Sequence, residues 1–397
     1  MFTWKTTSFI KKNKGKEVEM RTKLKIDRII LRKMKMPLKD PFETSFGAIK
    51  DRTFMIVEIH GEGEVGYAEV VTESAPLYNE ECVGTAWHVM EEFLIPLMFK
   101  NQQYIQHPDE ISAIFKQIKR HYLAKSGLES AYWDLHAKLG NKSLSSILSG
   151  QKESIEVGVS IGIQTSISEL LVKIDSYLTE GYRRIKLKIK PGWDYDVLRE
   201  VRNHFPHIPL MADANSAYTL QDINLLKKLD EFNLLMVEQP LSHDDIIDHS
   251  ILQKELNTPI CLDESIHQVD DVRKALDLGS CQIINIKIGR VGGLTEAKKI
   301  HDYCLSRNIP VWCGGMLEAG LGRAHNIALA SMQNFNIPGD TSPSSRYWEE
   351  DILEEPIQFS QPGMINVPKG PGIGVNVNLE KLNKYTTLLK TYDSSEF

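Results

Sequence analysis

A chain of 397 residues, 42% hydrophobic and 25% charged, exceeds the roughly 250 to 300 residues at which one hydrophobic core stops growing, so a large domain and a smaller one are expected. The net charge of -6 is spread rather than blocked, which argues against a nucleic-acid partner, and no run approaches the ~20 apolar residues of a membrane span. Five cysteines (Cys82, Cys261, Cys281, Cys304, Cys313) form no CxxC pair and read as reduced core residues of a cytoplasmic protein.

In chain order, residues 1–22 are lysine-rich without the continuous apolar stretch of a signal peptide, and read as a disordered extension. Residues 23–150 open with three strand-like runs, "IDRIILRKMKMPL", "TFMIVEIHG" and "VGYAEVV", which predict an antiparallel meander. The stretches "CVGTAWHVMEEFLIPLMF" and "SGLESAYWDLHAKLG" then repeat apolar residues at three-to-four spacing and predict helices. Strands followed by helices make a compact α+β unit, the smaller domain.

From 151 to 355 short apolar runs alternate with helix-like segments. The predicted strands are "IEVGVSIG", "RRIKLKIK", "PLMADAN", "LLMVEQP", "TPICLDES", "CQIINIKIG", "IPVWCGGM" and "FNIPGD". Helix starts are marked by Thr219 with Asp222, and by Thr295 before "EAKKIHDYCLSRN". Eight such units favour a closed parallel (β/α)8 barrel, although the spacing also admits a doubly wound sheet.

Lys188, Asp213, Glu238, Asp263 and Lys287 stand near the ends of successive strands at near-equal steps of about 25 residues. One barrel level is therefore sampled once per unit, and the five groups should converge. Three carboxylates in one mouth repel unless a cation holds them, and oxygen donors without thiol or imidazole suit Mg²⁺, with Mn²⁺ a second possibility. Taken singly, "DAN", "EQP" and "DES" would also suit helix N-caps; three at equal steps between two lysines favour the metal.

Lys186, Lys188 and Lys190 alternate along "RRIKLKIKPGWD", so they share one face of a strand. Lys188 and Lys287 flank the carboxylate trio, which places two amines on opposite sides of a bound substrate. Beside a divalent cation their pKa is expected to fall from about 10.4, Lys186 helping to lower that of Lys188. A metal holding a carboxylate while its α-carbon loses a proton would stabilise an enediolate.

These residues carry a resemblance. "KLK" (186–188), "DAN" (213–215), "EQP" (238–240), "DES" (263–265) and "NIKIGRVGGL" (285–294) resemble the muconate-lactonizing subgroup of the enolase superfamily, from about Ile26 to about Asn376. "VGVSIGI" (157–163), "CGGMLEAGLGRAHNIALA" (313–330) and "PGDTSPSSRYWEEDI" (338–352) resemble, within it, the o-succinylbenzoate synthase / N-succinylamino acid racemase family. The resemblance implies an α+β capping domain over a modified (β/α)8 barrel, of (β/α)7β type, with residues 356–397 returning to the capping domain. It implies metal on Asp213, Glu238 and Asp263, and Lys188 and Lys287 as the acid/base pair. Ser160, Gly315 and Met316 from the barrel, with Phe42 and Tyr78 from the capping domain, would line the pocket of a succinyl-bearing dicarboxylate, with Tyr347 or Trp348 nearby. Glu73 departs from the pattern, because some relatives have an apolar residue there. A cytoplasmic homo-oligomer of even number, dimer to octamer, is also implied.

Other readings use the same residues. A dipeptide epimerase would carry Asp-x-Asp where "GDTS" has only Asp340, and a mandelate-racemase-like enzyme would use a histidine late in the barrel where this chain has Lys287. Muconate cycloisomerase shares the lysines and the metal site. A non-catalytic metal-binding scaffold does not require two opposed lysines. His325 reads as a buried helix residue bonded to backbone.

Overall fold

The computed structural model describes residues 24–44 and 47–397; the extension expected over 1–22 lies outside the described residues. The meander consists of β1 (Arg28–Thr44), β2 (Gly47–Gly61) and β3 (Glu64–Val70), paired antiparallel. The run "FMIVEI" on β2 is apolar on both faces because both are covered. Met55, Val57 and Ile59 join Ile29 and Leu31 in the core of the smaller unit, while Phe54 and Ile56 join Met34 and Met36 in the core shared with the larger one.

Helices α1 (Val83–Val89) and α2 (Ile95–Asn101) form one rod interrupted by a π turn at Met90–Leu94, with Pro96 beginning the second half. After α3 (Pro108–Phe115), α4 (Tyr122–Leu139) crosses the sheet. It is buried on nearly every side from Leu123 to Leu135, because it is wedged between its own sheet and the larger unit. A short α5 (Leu144–Ile147) leads out.

The first expected barrel strand is split. β4 (Ser154–Glu156) belongs to a separate small ribbon, and β5 (Val159–Ile161) enters the barrel. There follow α6 (Ile167–Glu180), β6 (Ile185–Lys188), α7 (Tyr195–His204), β7 (Leu210–Asp213), α8 (Ile223–Lys228) and β8 (Val237–Glu238). Then come α9 (Ile247–Glu255), β9 (Ile260–Leu262), α10 (Val269–Leu278), β10 (Ile283–Ile286), α11 (Leu294–Ser306), β11 (Val311–Cys313) and α12 (Gly320–Ala330). Strands β5 to β11 pair in parallel in sequence order, a modified (β/α)8 barrel. Its interior floor is Met211, Met236, Cys261, Ile283 and Trp312.

The expected eighth strand, "FNIPGD", is not a continuous strand. It makes two parallel bridges, Phe335 with Val311 and Gly339 with Val157, and so lies between β11 and β5. Pro338 has no N–H to offer a ladder, which limits pairing to the residues around it. Asp340 N–H then donates to Cys313 O at 2.9 Å. Thr219 caps the turn before α8 with Asp222 as expected, but Thr295 lies inside α11 rather than at its cap. The N–H groups of Leu294 and Thr295 donate to the Glu129 carboxylate of α4, at 2.8 and 2.9 Å. Gly293 (φ 127°) permits this, since a Cβ there would stand 2.2 Å from that carboxylate.

The chain ends with β12 (Met364–Asn366), which pairs with β4, then α13 (Leu379–Tyr385) and β13 (Thr386–Asp393), which pairs antiparallel with β1 as the fourth strand of the capping sheet.

Candidate active site

Alternation on β6 turns Ile185 and Leu187 towards the helices and Lys186 and Lys188 into the barrel, with Arg184 two residues earlier on the same inward side. Lys190, past the strand end, is partly exposed and pairs with Glu43 at 3.7 Å, so the inward basic face is Arg184, Lys186 and Lys188.

Five buried groups follow one another round the mouth. Lys188 Nζ lies 2.6 Å from Asp213 Oδ2 and 2.5 Å from Asn215 Oδ1. Lys186 Nζ is 3.1 Å from both Asp213 Oδ2 and Glu238 Oε2, and Asn285 Nδ2 donates to Glu238 Oε1 at 2.6 Å. Lys287 Nζ is 2.6 Å from Asp263 Oδ2, and Arg290 Nε is 2.8 Å from Asp263 Oδ1. The lysines thus hold the two ends of an arc of three carboxylates carried by neighbouring strands.

The charges act on one another. Burial, then the Asp213 and Asp263 carboxylates, push Glu238 up to about 8. Asp213 is held below the usual carboxylate range because Lys188 and Lys186 outweigh its burial, and Asp263 is lowered because Lys287 and Arg290 outweigh its own. Burial disfavours the Lys186 ammonium, but Asp340, Glu238 and Asp213 raise it well above the ordinary lysine value. Lys287 is likewise raised despite burial, Asp263 being the largest favourable partner. The fall expected at Lys287 applies to a chain holding a divalent cation; with the protein's charges alone its direction is upward. The protein's own carboxylates dominate both lysines; the expected fall requires the added charge of a cation.

Among the described residues no three Asp, Glu, His or Cys groups already form a cation cage. Asp213, Glu238 and Asp263 direct oxygens to lysine, arginine and amide donors instead. The donor set nevertheless fits a hard divalent ion: three buried carboxylates on neighbouring strand ends, the middle one driven towards protonation by burial and then by its neighbours.

Of the expected pocket residues, Tyr78 reaches the centre. From the loop between β3 and α1, its hydroxyl donates to Asp263 Oδ1 at 3.3 Å and accepts from Lys287 Nζ at 3.0 Å. Glu73, on the same loop, is raised by burial against the pull of Arg52, Lys287 and Lys188, so it too feels the lysines of the mouth. Ser160 on β5 pairs with Lys186 on β6, its buried hydroxyl without a hydrogen-bond partner among the described residues. Phe42 meets Tyr347 edge-on at 6.3 Å. Gly315 packs on Asp340, whose carbonyl oxygen would lie 2.8 Å from a Cβ there, while Met316 joins the capping-domain core. Trp348 is a core contact, donating to Glu318 O at 3.1 Å and packing on Phe54. His325 is buried and meets the carbonyls of Leu321 and Ser130, as its helical surroundings suggested.

Sequence reasoning missed Arg184, Asn215, Asn285, Gly314, Glu264 and Arg290. The first three lie two residues from a chosen group, and strand periodicity would have found them. Gly314 is required because a Cβ would stand 2.8 Å from Lys287 Cε. Glu264 accepts from Asn215 Nδ2 at 2.9 Å; it and Arg290 lie in loops beyond the strands, where period two gives no signal.

Residues 26–149 match the mandelate racemase / muconate lactonizing enzyme N-terminal domain, and residues 169–382 the enolase C-terminal domain-like family. The chain is 56% identical to an o-succinylbenzoate synthase of Geobacillus stearothermophilus, over 93% of this chain and 98% of that one. It is 46% identical to an N-succinylamino acid racemase of Thermus thermophilus, over 91% and 98%. A crystal structure of an enolase superfamily member from Listeria innocua superposes with a TM-score of 0.90 at 45% identity, covering 94% of this chain and 100% of that one.

Proposed function

Because the chain belongs to the enolase superfamily and, within its muconate-lactonizing subgroup, to the o-succinylbenzoate synthase / N-succinylamino acid racemase family, we propose a division of labour among the residues of its mouth. The enzyme removes the proton α to a carboxylate through an enediolate. It does so in o-succinylbenzoate synthesis, the dehydration of 2-succinyl-6-hydroxy-2,4-cyclohexadiene-1-carboxylate in menaquinone biosynthesis, in N-succinylamino acid racemisation, or in both.

Asp213, Glu238 and Asp263 would hold Mg²⁺, the ion that superfamily members use, and the bound ion would supply positive charge to the substrate carboxylate. In dehydration Lys188 takes the α-proton and then protonates the departing hydroxide from the same face, while Lys287 opposes the enediolate charge. In racemisation each lysine serves one face, one as base and the other as acid. Tyr78 and Asp263 orient Lys287; Asp213 and Asn215 orient Lys188. Phe42, Tyr347, Ser160, Gly315 and Met316 are assigned to the succinyl pocket.

The observation that carries this reading is the arc itself, with one lysine bonded to each terminal carboxylate. A dipeptide epimerase fits less well, because both oxygens of Asp340 already face cations of the protein, Arg184 and Lys186, each at 2.8 Å.

Dehydration is to be measured beside α-deuterium exchange of N-succinyl amino acids, with Mg²⁺ and after chelation. Chelation is expected to abolish both activities and Mg²⁺ to restore both; activity that survives chelation unchanged would refute the metal assignment. The reading also includes a cytoplasmic homo-oligomer, which light scattering tests for assembly; among the described residues no helix is long and apolar enough to cross a membrane.

A further inference from the structure

Below the arc, Lys186 is shared among three carboxylates. Its Nζ lies 3.1 Å from Asp213 Oδ2, 3.1 Å from Glu238 Oε2 and 2.8 Å from Asp340 Oδ2, which matches the three donors of one ammonium. Only Asp340 stands outside the trio assigned to the cation. Its other oxygen takes Arg184 Nη2 at 2.8 Å, and Arg184 and Lys186 both lie over the Trp312 ring, 5.0 and 4.8 Å from its centroid.

The position of Asp340 is fixed from several sides. Its N–H donates to Cys313 O at 2.9 Å and its carbonyl accepts from Arg323 Nη1 at 2.6 Å. Gly158 leaves room for Arg184, since a Cβ there would stand 2.6 Å from the guanidinium carbon. Arg184, Lys186, Asp340 and Trp312 are all buried, so water offers no substitute partner.

A buried ammonium deprived of one carboxylate leans harder on those that remain. For Lys186 these are Asp213 and Glu238, whose oxygens the cation also needs. We propose that Asp340 is a positioning residue that takes the shortest of the three contacts of Lys186, so that the ammonium leans less on Asp213 and Glu238 and a divalent cation can compete for their oxygens. The inference rests on the metal assignment above. Arg184 is the counter-ion of the other Asp340 oxygen, and the bridging segment after β11 places the carboxylate there without a full strand.

The test is calorimetric titration of the full chain with Mn²⁺ and with Mg²⁺, which reads binding without turnover. Asp340→Asn is expected to weaken cation binding by about tenfold or more, and the double change Asp340→Asn with Lys186→Met to recover most of the loss, since the competing ammonium is then gone. Lys186→Met alone is expected to bind the cation at least as tightly as the wild type, which keeps the test decisive if Asp340→Asn fails to fold. Wild-type affinity in Asp340→Asn, no recovery in the double variant, or weaker binding in Lys186→Met would each overturn the positioning role. A wild-type chain that binds neither cation would overturn the metal assignment itself.

Discussion

Tyr78 shows how one capping-domain side chain bears on barrel chemistry. Its hydroxyl touches Lys287 and Asp263 but neither Lys188 nor Asp213 among its hydrogen-bond partners. Removing a hydrogen bond to a charged group costs about 1.5–3 kcal/mol, so Tyr78→Phe is expected to slow racemisation by about tenfold or more. Dehydration, in which Lys188 is proposed to handle the proton alone, should fall less, and the ratio of the two kcat values measures the difference. At this scale the residues with a period were legible: Lys186 and Lys188 two apart on a strand, and the carboxylates once per βα unit. Tyr78 required the resemblance, because nothing in its loop marks which way a side chain points. The carboxylates that raise Lys186 and Lys287 were not legible, since a sequence lists charges without saying which carboxylate each amine will touch.

Among the elements, α11 depends on a residue from another domain. Its first N–H groups are satisfied by Glu129 of α4, which also accepts from Trp133 Nε1 at 2.8 Å. Glu129→Gln would turn an amide donor towards donors, leaving buried N–H groups short of an acceptor. It should cost about 1–3 kcal/mol, read as a lowered Tm, with the fold retained. No sequence pattern links residue 129 to residue 294, and the expectation that α11 starts at Thr295 failed for that reason. The strands that carry the site were legible because buried parallel strands read as short apolar runs. The two ends of the barrel were not: one expected strand splits at Val157 and Gly158, where pairing passes from β12 to the bridging segment and then to β6, and Pro338 reduces another to bridges.

Across the whole molecule, the capping domain and barrel meet over buried charge. Glu69 of β3 accepts Ala319 N–H at 3.0 Å before α12 and faces Arg52 at 3.5 Å. Burial raises Glu69 to about 8 despite Arg52, and Glu318 adds to the rise. The folded chain therefore retains a proton that the unfolded chain releases near the ordinary carboxyl value, so this group makes stability fall as pH rises from about 4.5 towards about 8. Glu69→Gln is expected to flatten the dependence of Tm on pH across that window; an unchanged slope would show that Glu69 does not titrate there. Division into a smaller α+β unit and a barrel followed from length and from the change of periodicity near residue 151. The seam between them did not, because the residues that make it are scattered through β2, β3, α4 and the loops after β10 and β11.

Lys188 and Lys287 are proposed to serve opposite faces of one substrate. The most direct test is α-deuterium exchange of each enantiomer of an N-succinyl amino acid in heavy water with Mg²⁺, by the wild type, Lys188→Ala and Lys287→Ala. The wild type should exchange both enantiomers, and the two variants should lose exchange of opposite enantiomers by about 10²–10⁴-fold. A Lys188→Ala enzyme that exchanges both enantiomers at the wild-type rate would contradict the account.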